Sequence, residues 1–205
     1  MISIYQLKPK FQNLLRPFVQ WLAHRGVTAN TVTLLALIVS LLLGIGLFCW
    51  GETHLWLFLL VPIWMFIRMA FNAIDGMLAR EFAQQSPLGA YLNELSDVIA
   101  DAALYLPFAL ITPFNAWSIG AVIWLAAVSE MAGALGPMVG APRAYDGPMG
   151  KSDRAFVFGA IGLYFAVFAQ VPHWLSWLPW LMCIAMGVNI VKRINSGVGA
   201  ATKNT

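Results

Sequence analysis

Residues 71–104 read FNAIDGMLAREFAQQSPLGAYLNELSDVIADAAL and place a run of polar residues inside otherwise apolar sequence. This stretch consists of two apolar runs, each with polar side chains at helical spacing, joined by a short polar connection. In the first run Asn72 and Asp75 are three residues apart, which places them on one face of a helix, and Arg68 lies one turn earlier on much the same face. The first run is therefore predicted to be an apolar helix with one polar stripe.

The second run repeats Gly89, Asn93 and Asp97 at intervals of four residues, which lines one stripe of a second helix. The connection between the runs, residues 81–87, is short enough to make the two helices antiparallel neighbours. We therefore predict that the two stripes face each other. Carboxylates at membrane depth are costly unless they hold a metal, a substrate or a partner charge, so the stripes are the predicted functional site.

The composition of the whole chain is typical of an integral membrane protein. Of its 205 residues, 60% are hydrophobic and 10% are charged, which is far from the soluble range. Six apolar segments each have close to the ~20 residues that cross a bilayer: 30–50, 55–80, 88–111, 117–139, 153–171 and 174–192. We predict a single all-α domain over residues 1–205, with six transmembrane helices between residues 28 and 192.

Residues 1–27 are predicted to form an amphipathic helix in the membrane interface. Their larger apolar side chains recur at helical spacing between polar ones, which suits a helix lying in the bilayer surface: Phe11, Leu14, Leu15, Phe18, Val19 and Leu22. Residues 193–205 are predicted to be a cytoplasmic tail.

The basic residues predict the orientation, because Lys and Arg near the ends of spans accumulate on the cytoplasmic side. Those near span ends all fall on one side: Lys8, Lys10, Arg16, Arg25, Arg80, Arg143, Lys151, Arg154, Lys192, Arg193 and Lys203. Both termini are therefore predicted to be cytoplasmic. The net charge of +3 is mostly explained by these basic residues at the predicted cytoplasmic span ends. They are dispersed along the chain, so they give no nucleic-acid signature.

The oxygen atoms of the two stripes indicate a particular class of metal. Carboxylate and amide oxygens are hard ligands, suited to Mg²⁺ or Mn²⁺, and no His or Cys is interleaved with them. Gly76 and Gly89 remove side chains beside these ligands, which leaves room for a nucleotide or a pyrophosphate to approach the backbone.

The same residues resemble a known family signature. Asp75-Gly76-x-x-Ala79-Arg80, followed after eight residues by Gly89, after three more by Asn93 and after three more by Asp97, is similar to D-x-x-D-G-x-x-A-R-x8-G-x3-D-x3-D of the CDP-alcohol phosphatidyltransferase family. The six predicted spans and the cytoplasmic site resemble the family as well.

The resemblance implies a reaction and a role for each residue. A CDP-linked lipid, by default CDP-diacylglycerol, would give its phosphatidyl group to a small alcohol with release of CMP, in phospholipid biosynthesis at the bacterial inner membrane. Asp97 would be the general base, and the divalent-metal ligands would be Asn72, Asp75, Asn93 and Asp97. The nucleotide would contact Gly76, Ala79, Arg80 and Gly89, although Arg80 is equally interpreted as a positive-inside anchor. A homodimer is one assembly that the resemblance allows.

Two positions depart from the signature, because Asn72 and Asn93 stand where the family has aspartate. In the family the four aspartates bind two divalent ions. Here the four positions carry two formal negative charges instead of four, so one Mg²⁺ is easier to hold than two. Asp101 continues the second stripe and is the better candidate to restore charge, since Glu94 points about 100° away from Asn93 on the helix.

A second basic cluster contains Arg143, Lys151 and Arg154 at the predicted start of the fifth span. A helix start favours anions, and Gly150-Lys151 followed by a basic residue resembles a family element that meets phosphate. We predict phosphate binding here, on the acceptor or on the lipid, with membrane topology alone as the alternative. Glu130 and Arg68 are also within spans, where an ion pair that fixes the bundle and direct participation are both open.

Two other functions remain open. The two asparagines are compatible with a catalytically inactive family member that still binds CDP-lipid or CMP. The composition alone would also allow a small transporter that uses Asp75, Asp97 and Glu130 as a relay, but that function gives no reason for the Asp-Gly-x-x-Ala-Arg spacing.

Overall fold

A computed structural model describes residues 4–204, with side chains described from Lys10 to Thr202. Throughout this part of the chain the regular structure is helical, and no strand occurs in it. The predicted all-α class is therefore confirmed. The long helices are α1 (Ile4–His24), α2 (Ala29–Trp50), α3 (Leu60–Glu81), α4 (Pro87–Tyr105), α5 (Ala116–Ala134), α6 (Lys151–Phe168) and α7 (Leu178–Asn204). Short 3₁₀ helices occupy Leu55–Leu59, Leu106–Leu110, Gly136–Val139 and His173–Trp177.

The two ends of the chain bear on two of the predicted segments. Residues 1–3 of the predicted interfacial segment and residue 205 of the predicted tail lie outside the described residues. From residue 193 to Asn204 the predicted tail continues α7 as a helix.

Within residues 4–204, four helical stretches are long and apolar enough to cross a membrane: Ala29–Trp50, Leu55–Glu81, Ala116–Val139 and His173–Thr202. The other two predicted spans correspond to α4 and α6, which carry three charged residues each. The membrane character of the protein agrees with the prediction, and the count of six spans stays a prediction. Helices α4 and α6 are not among the four apolar stretches because of these charged residues.

The helices divide between two compact units. The first unit is Met1–Val39 with Phe66–Asp97, and the second is Ser40–Met65 with Val98–Thr205. All eight residues of the signature, from Asn72 to Asp97, lie in the first unit. The basic cluster around Arg154 lies in the second.

The core of the first unit is apolar and includes α1. Buried Val19 of α1 belongs to the same cluster as Ile74, Met77 and Leu78 of α3. On another side of α1, Leu14 is 77% exposed and Phe18 is 49% exposed. Helix α1 therefore has one apolar strip against the protein and another facing outward, as an interfacial helix requires, and its placement in the interface stays a prediction.

The core of the second unit is largely aromatic. Phe58 meets Phe108 and Phe165 edge-on, with ring centroids 5.4 and 5.1 Å apart, and Tyr105 stacks on Phe158 at 4.0 Å. Such pairs stabilise a core beyond the area they bury. They fix α4 and α6 of this unit around the Leu55–Leu59 turn.

Candidate active site

The first unit holds an ion pair between α3 and α4. One Arg68 nitrogen, Nη2, lies 3.1 Å from Asp97 Oδ1 and donates a second hydrogen bond to the Asp97 backbone oxygen, also at 3.1 Å. Arg68 is only 5% exposed, whereas the Asp97 side chain is 20% exposed. The guanidinium is therefore the buried partner, and the carboxylate is the more accessible one.

This ion pair sets the register of the two helices. Because α3 and α4 are joined by a five-residue connection and run antiparallel, moving one turn from Arg68 towards the connection reaches Asn72, and the same step from Asp97 reaches Asn93. The polar residues predicted to line the two stripes therefore lie at matching levels of two neighbouring helices.

The third helix at this site is α2, which contributes Thr33. The Thr33 hydroxyl donates to Asp75 Oδ2 at 2.8 Å and lies 3.1 Å from the backbone oxygen of Ala29. Asp75 is 6% exposed, so this hydrogen bond helps to satisfy and orient a buried carboxylate. Sequence reasoning gave Thr33 no role; the available signal was a run of three threonines, at positions 28, 31 and 33, at the start of an apolar helix.

The two signature glycines lie beneath polar side chains. A Cβ at Gly76 would lie 2.9 Å from Arg80 Nη2, so the Arg80 guanidinium covers the backbone there. A Cβ at Gly89 would lie 2.8 Å from Asn30 Oδ1 and 3.0 Å from Ser86 Oγ. Both glycines thus permit close approach of a polar group. The predicted nucleotide contacts of Gly76, Ala79, Arg80 and Gly89 stay predictions.

The donor set of the site combines carboxylate and amide oxygens. Between residues 4 and 204 no three His, Cys, Asp or Glu side chains are grouped so that they could hold a divalent metal. The signature positions instead offer two carboxylates and two amides, from Asp75, Asp97, Asn72 and Asn93. Mg²⁺ is usually bound by one or two carboxylates together with waters and substrate phosphates, so this set fits one such ion.

In the second unit, Glu130 is the centre of an arginine cluster. Its Oε1 lies 3.1 Å from Arg154 Nη2, and its Oε2 lies 3.2 Å from Arg143 Nη2 and 3.4 Å from Arg193 Nη1. Arg154 is fully buried, and Glu130 and Arg193 are nearly so. A buried carboxylate thus joins the loop after α5 to α6 and α7. We name Glu130, Asp101, Arg143, Arg154 and Arg193 the arginine cluster.

Asp101 belongs to this cluster. Its Oδ2 lies 3.1 Å from Arg154 Nη2, the same nitrogen that binds Glu130. The sequence suggested that Asp101 restores charge at the metal ligands, whereas the structure engages its carboxylate with a buried arginine. Burial of Asp101 next to Arg154 is what an acidic side chain in an apolar helix requires.

Arg193 is a residue that sequence reasoning missed, because it was assigned only to the positive-inside pattern. It is 3% exposed, and its Nη1 also donates to the backbone oxygen of Ser129. One turn earlier, buried Asn189 accepts from Ser129 Oγ at 2.8 Å and donates to the Pro148 backbone oxygen at 2.9 Å. Polar residues at a four-residue spacing in the middle of α7 were the signal.

The three predicted phosphate-binding residues differ in their surroundings. The Arg154 guanidinium pairs with two carboxylates, and the residue has no exposed surface. These contacts indicate a structural role. The Arg143 guanidinium lies 5.0 Å from the Tyr145 ring centroid, and burial lowers its pKa below the ordinary value. Lys151 is the first residue of α6. Phosphate binding by this group stays a prediction.

Comparison with known proteins decides the family. The family model described as CDP-alcohol phosphatidyltransferase matches residues 26–189. The chain belongs to the CDP-alcohol phosphatidyltransferase family. The resemblance drawn from the pattern between Asn72 and Asp97 is thereby confirmed, as is the class of enzyme. The family accounts for all but the first 25 and last 16 residues.

Proteins of known sequence or structure are similar to this chain over most of its length. The inner membrane protein YnbA of Escherichia coli K12 is 48% identical over 184 residues, covering 90% of this chain and 89% of YnbA. The phosphatidylinositol phosphate synthase of Mycobacterium tuberculosis has a similar fold. Its structure in complex with manganese and citrate has a TM-score of 0.70 at 22% identity, covering 89% of this chain and 88% of the synthase. Its structure with CDP-DAG bound has a TM-score of 0.69 at 21% identity, covering 88% and 92%.

Proposed function

We propose that this protein transfers a phosphatidyl group from a CDP-alcohol to an alcohol acceptor and releases CMP. The observation that carries the proposal is the arrangement of Asp75, Asp97 and the two asparagines at signature spacing on two neighbouring helices of a family member. CDP-diacylglycerol is the proposed donor, which the CDP-DAG-bound structure of the mycobacterial synthase supports. The reaction would belong to phospholipid biosynthesis in the bacterial inner membrane, where the related YnbA is found.

Asp97 is the proposed general base. Its carboxylate would take the proton of the acceptor hydroxyl as that oxygen attacks the phosphorus attached to the lipid. The bond from this phosphorus to the CMP oxygen breaks, and CMP leaves with the electron pair. The two hydrogen bonds from Arg68 hold Asp97 in one orientation for this step.

Asp75, Asn72, Asn93 and Asp97 are the proposed ligands of one Mg²⁺ or Mn²⁺. When bound, such an ion neutralises charge on the phosphates and on the departing nucleotide. Thr33 fixes the Asp75 carboxylate in place, as hydrogen bonds to metal ligands commonly do. Manganese in the structure of the mycobacterial synthase supports this class of metal.

The remaining signature residues are proposed to contact the nucleotide. Gly76, Ala79 and Gly89 would present backbone and small side chains to it, and Arg80 would bind a phosphate by moving off Gly76. For Arg143, Lys151 and Arg154 we propose phosphate binding on the acceptor or on the lipid. Arg143 and Lys151 are the stronger candidates, because Arg154 is fully buried between two carboxylates.

The experiment is CMP release from CDP-diacylglycerol by the purified protein in detergent. Mg²⁺ or Mn²⁺ is supplied with one alcohol at a time from a panel: glycerol 3-phosphate, serine, inositol and inositol phosphate. We expect release that needs both metal and one acceptor, and Asp97→Asn should lower it by roughly 100-fold or more because the general base is lost. Exposed Glu52→Gln is the matched control and should retain the rate.

A second candidate function is nucleotide binding without turnover. Asn72, Asn93 and the pairing of Asp97 with Arg68 favour it, because each weakens the negative charge that catalysis would use. Metal-dependent binding of cytidine nucleotides with no CMP release from any acceptor would establish that function and refute the transferase. If the protein shows neither CMP release nor nucleotide binding, transport is the remaining hypothesis.

A further inference from the structure

Arg68 lies in line with the proposed metal ligands of α3. It lies seven residues before Asp75, two turns away on the same face of α3, and one turn before Asn72. Its guanidinium, 5% exposed, is directed across to α4 and meets Asp97, the last residue of the signature. A permanent positive charge is thereby built into the row of proposed metal ligands.

The net charge of this row limits how many divalent ions it can hold. Asp75 and Asp97 are the only carboxylates among the four signature positions, and Arg68 offsets one of them. One divalent ion would turn the row from one net negative charge to one net positive charge. A second ion would raise it to three, in a partly buried site where like charges repel.

We propose that Arg68 supplies, from within the protein, the positive charge that a second divalent ion would bring, so that the site binds one ion per chain. The inference rests on the proposed function for the assignment of the four ligand positions. The two asparagines remove the carboxylates that a second ion would neutralise, and Arg68 occupies one oxygen of Asp97. Three features of the site thus act in the same direction.

Arg68 is on this account a positioning residue for the metal and for Asp97. A role limited to packing predicts that the charge of Arg68 does not influence metal affinity. The proposed role predicts that removing the charge strengthens binding of the first ion, since the repulsion is gone. Lysine at this position keeps the charge and is the conservative comparison.

The test is Mn²⁺ binding to the purified full-length protein in lipid nanodiscs, with free Mn²⁺ measured by electron paramagnetic resonance. The wild type should saturate at about one ion per chain. Arg68→Gln should bind its first ion about tenfold more tightly or better, and Arg68→Lys should stay within about threefold of the wild type. Arg68→Gln combined with Asn72→Asp and Asn93→Asp should bind two ions.

Three results would overturn the inference: two Mn²⁺ ions per wild-type chain, no Mn²⁺ binding by the wild type, or equal or weaker first-ion binding by folded Arg68→Gln. If Arg68→Gln does not fold, Arg68→Met removes the same charge with an unbranched side chain and takes its place in the comparison with Arg68→Lys. Equal or weaker first-ion binding by folded Arg68→Met would then contradict the proposal, as would two Mn²⁺ ions per wild-type chain.

The outcome is separable from that of the transfer assay. One ion per chain, tuned by the charge at position 68 but without CMP release, would refute the transferase and leave the role of Arg68 in place. CMP release by a chain that binds two ions would support the transferase and refute the proposed role of Arg68.

Discussion

At the scale of single residues, the two signature carboxylates of the first unit belong to two separate polar pairs. Thr33 orients Asp75, and Arg68 orients Asp97, so each carboxylate of the signature has a partner on a neighbouring helix. Both partners are buried and both come from positions outside the signature. The preorganisation of the proposed ligands therefore depends on residues that the signature itself does not include.

Thr33→Val should weaken metal binding, because it removes the hydroxyl that holds Asp75 while nearly preserving the shape of the side chain. Partners of metal ligands typically contribute 10–100-fold to affinity, and we expect a Mn²⁺ dissociation constant about tenfold higher. The measurement is Mn²⁺ titration of the purified protein. Thr202→Val, on an exposed turn of α7, is the matched control and should bind like the wild type. Unchanged affinity in Thr33→Val would show that this hydrogen bond does not position a metal ligand.

Much of this site could be predicted from the sequence, and the part that could not has a physical reason. The shared face of Arg68, Asn72 and Asp75 follows from helical periodicity. The pairing of Arg68 with Asp97 does not, because it depends on how far α4 slides along α3. Thr33 was missed because a hydroxyl can satisfy itself on the backbone of its own helix, so the run of threonines does not by itself identify a distant partner.

At the scale of helices, the arginine cluster joins four elements of the second unit. Asp101 comes from α4, Glu130 from α5, Arg154 from α6 and Arg193 from α7. Individual charges of this cluster were visible in the sequence, and Glu130 was assigned either an ion pair or direct participation. Its partners could not be predicted, because Arg143 lies 13 residues further along the chain, Arg154 lies 24 residues further and Arg193 further still.

Glu130→Ala should destabilise the protein strongly. It would leave three arginines with one fewer carboxylate, and removing one partner of a buried ion pair typically costs about 3–5 kcal/mol. The measurement is thermal unfolding of the purified protein in detergent, where the midpoint should fall by several degrees relative to the wild type. Glu52→Gln, an exposed carboxylate, should leave the midpoint unchanged. An unaltered midpoint in Glu130→Ala would exclude a stabilising role for the cluster.

At the scale of the whole molecule, the composition predicted a membrane protein and the helices agree. Within residues 4–204, four stretches are apolar enough to cross a bilayer by themselves, and of the six predicted spans α4 and α6 are not among them. Hydrophobicity alone could not assign these two, because each carries three charged residues, among them Asp97 of the proposed site and Asp101 and Arg154 of the arginine cluster. The six-span arrangement with both termini cytoplasmic is the topology that places every basic span end on one side.

This topology predicts the location of reporters fused to the chain. A fluorescent protein at the C-terminus should fold and fluoresce in the cytoplasm, while alkaline phosphatase there should be inactive. A phosphatase inserted at Thr53, between α2 and α3, should be active on the outer side. The opposite pattern, or activity at both positions, would contradict six spans with cytoplasmic termini.

The ion pairs of α4 also have a consequence for how the chain enters the membrane during synthesis. Arg68 precedes Asp97 by 29 residues, so this arginine has already been made when α4 leaves the ribosome. Arg154 follows Asp101 by 53 residues, so this carboxylate leaves the ribosome before its arginine does. We expect α4 to stay beside the translocon as a hairpin with α3, and to move fully into lipid only after α6 has emerged.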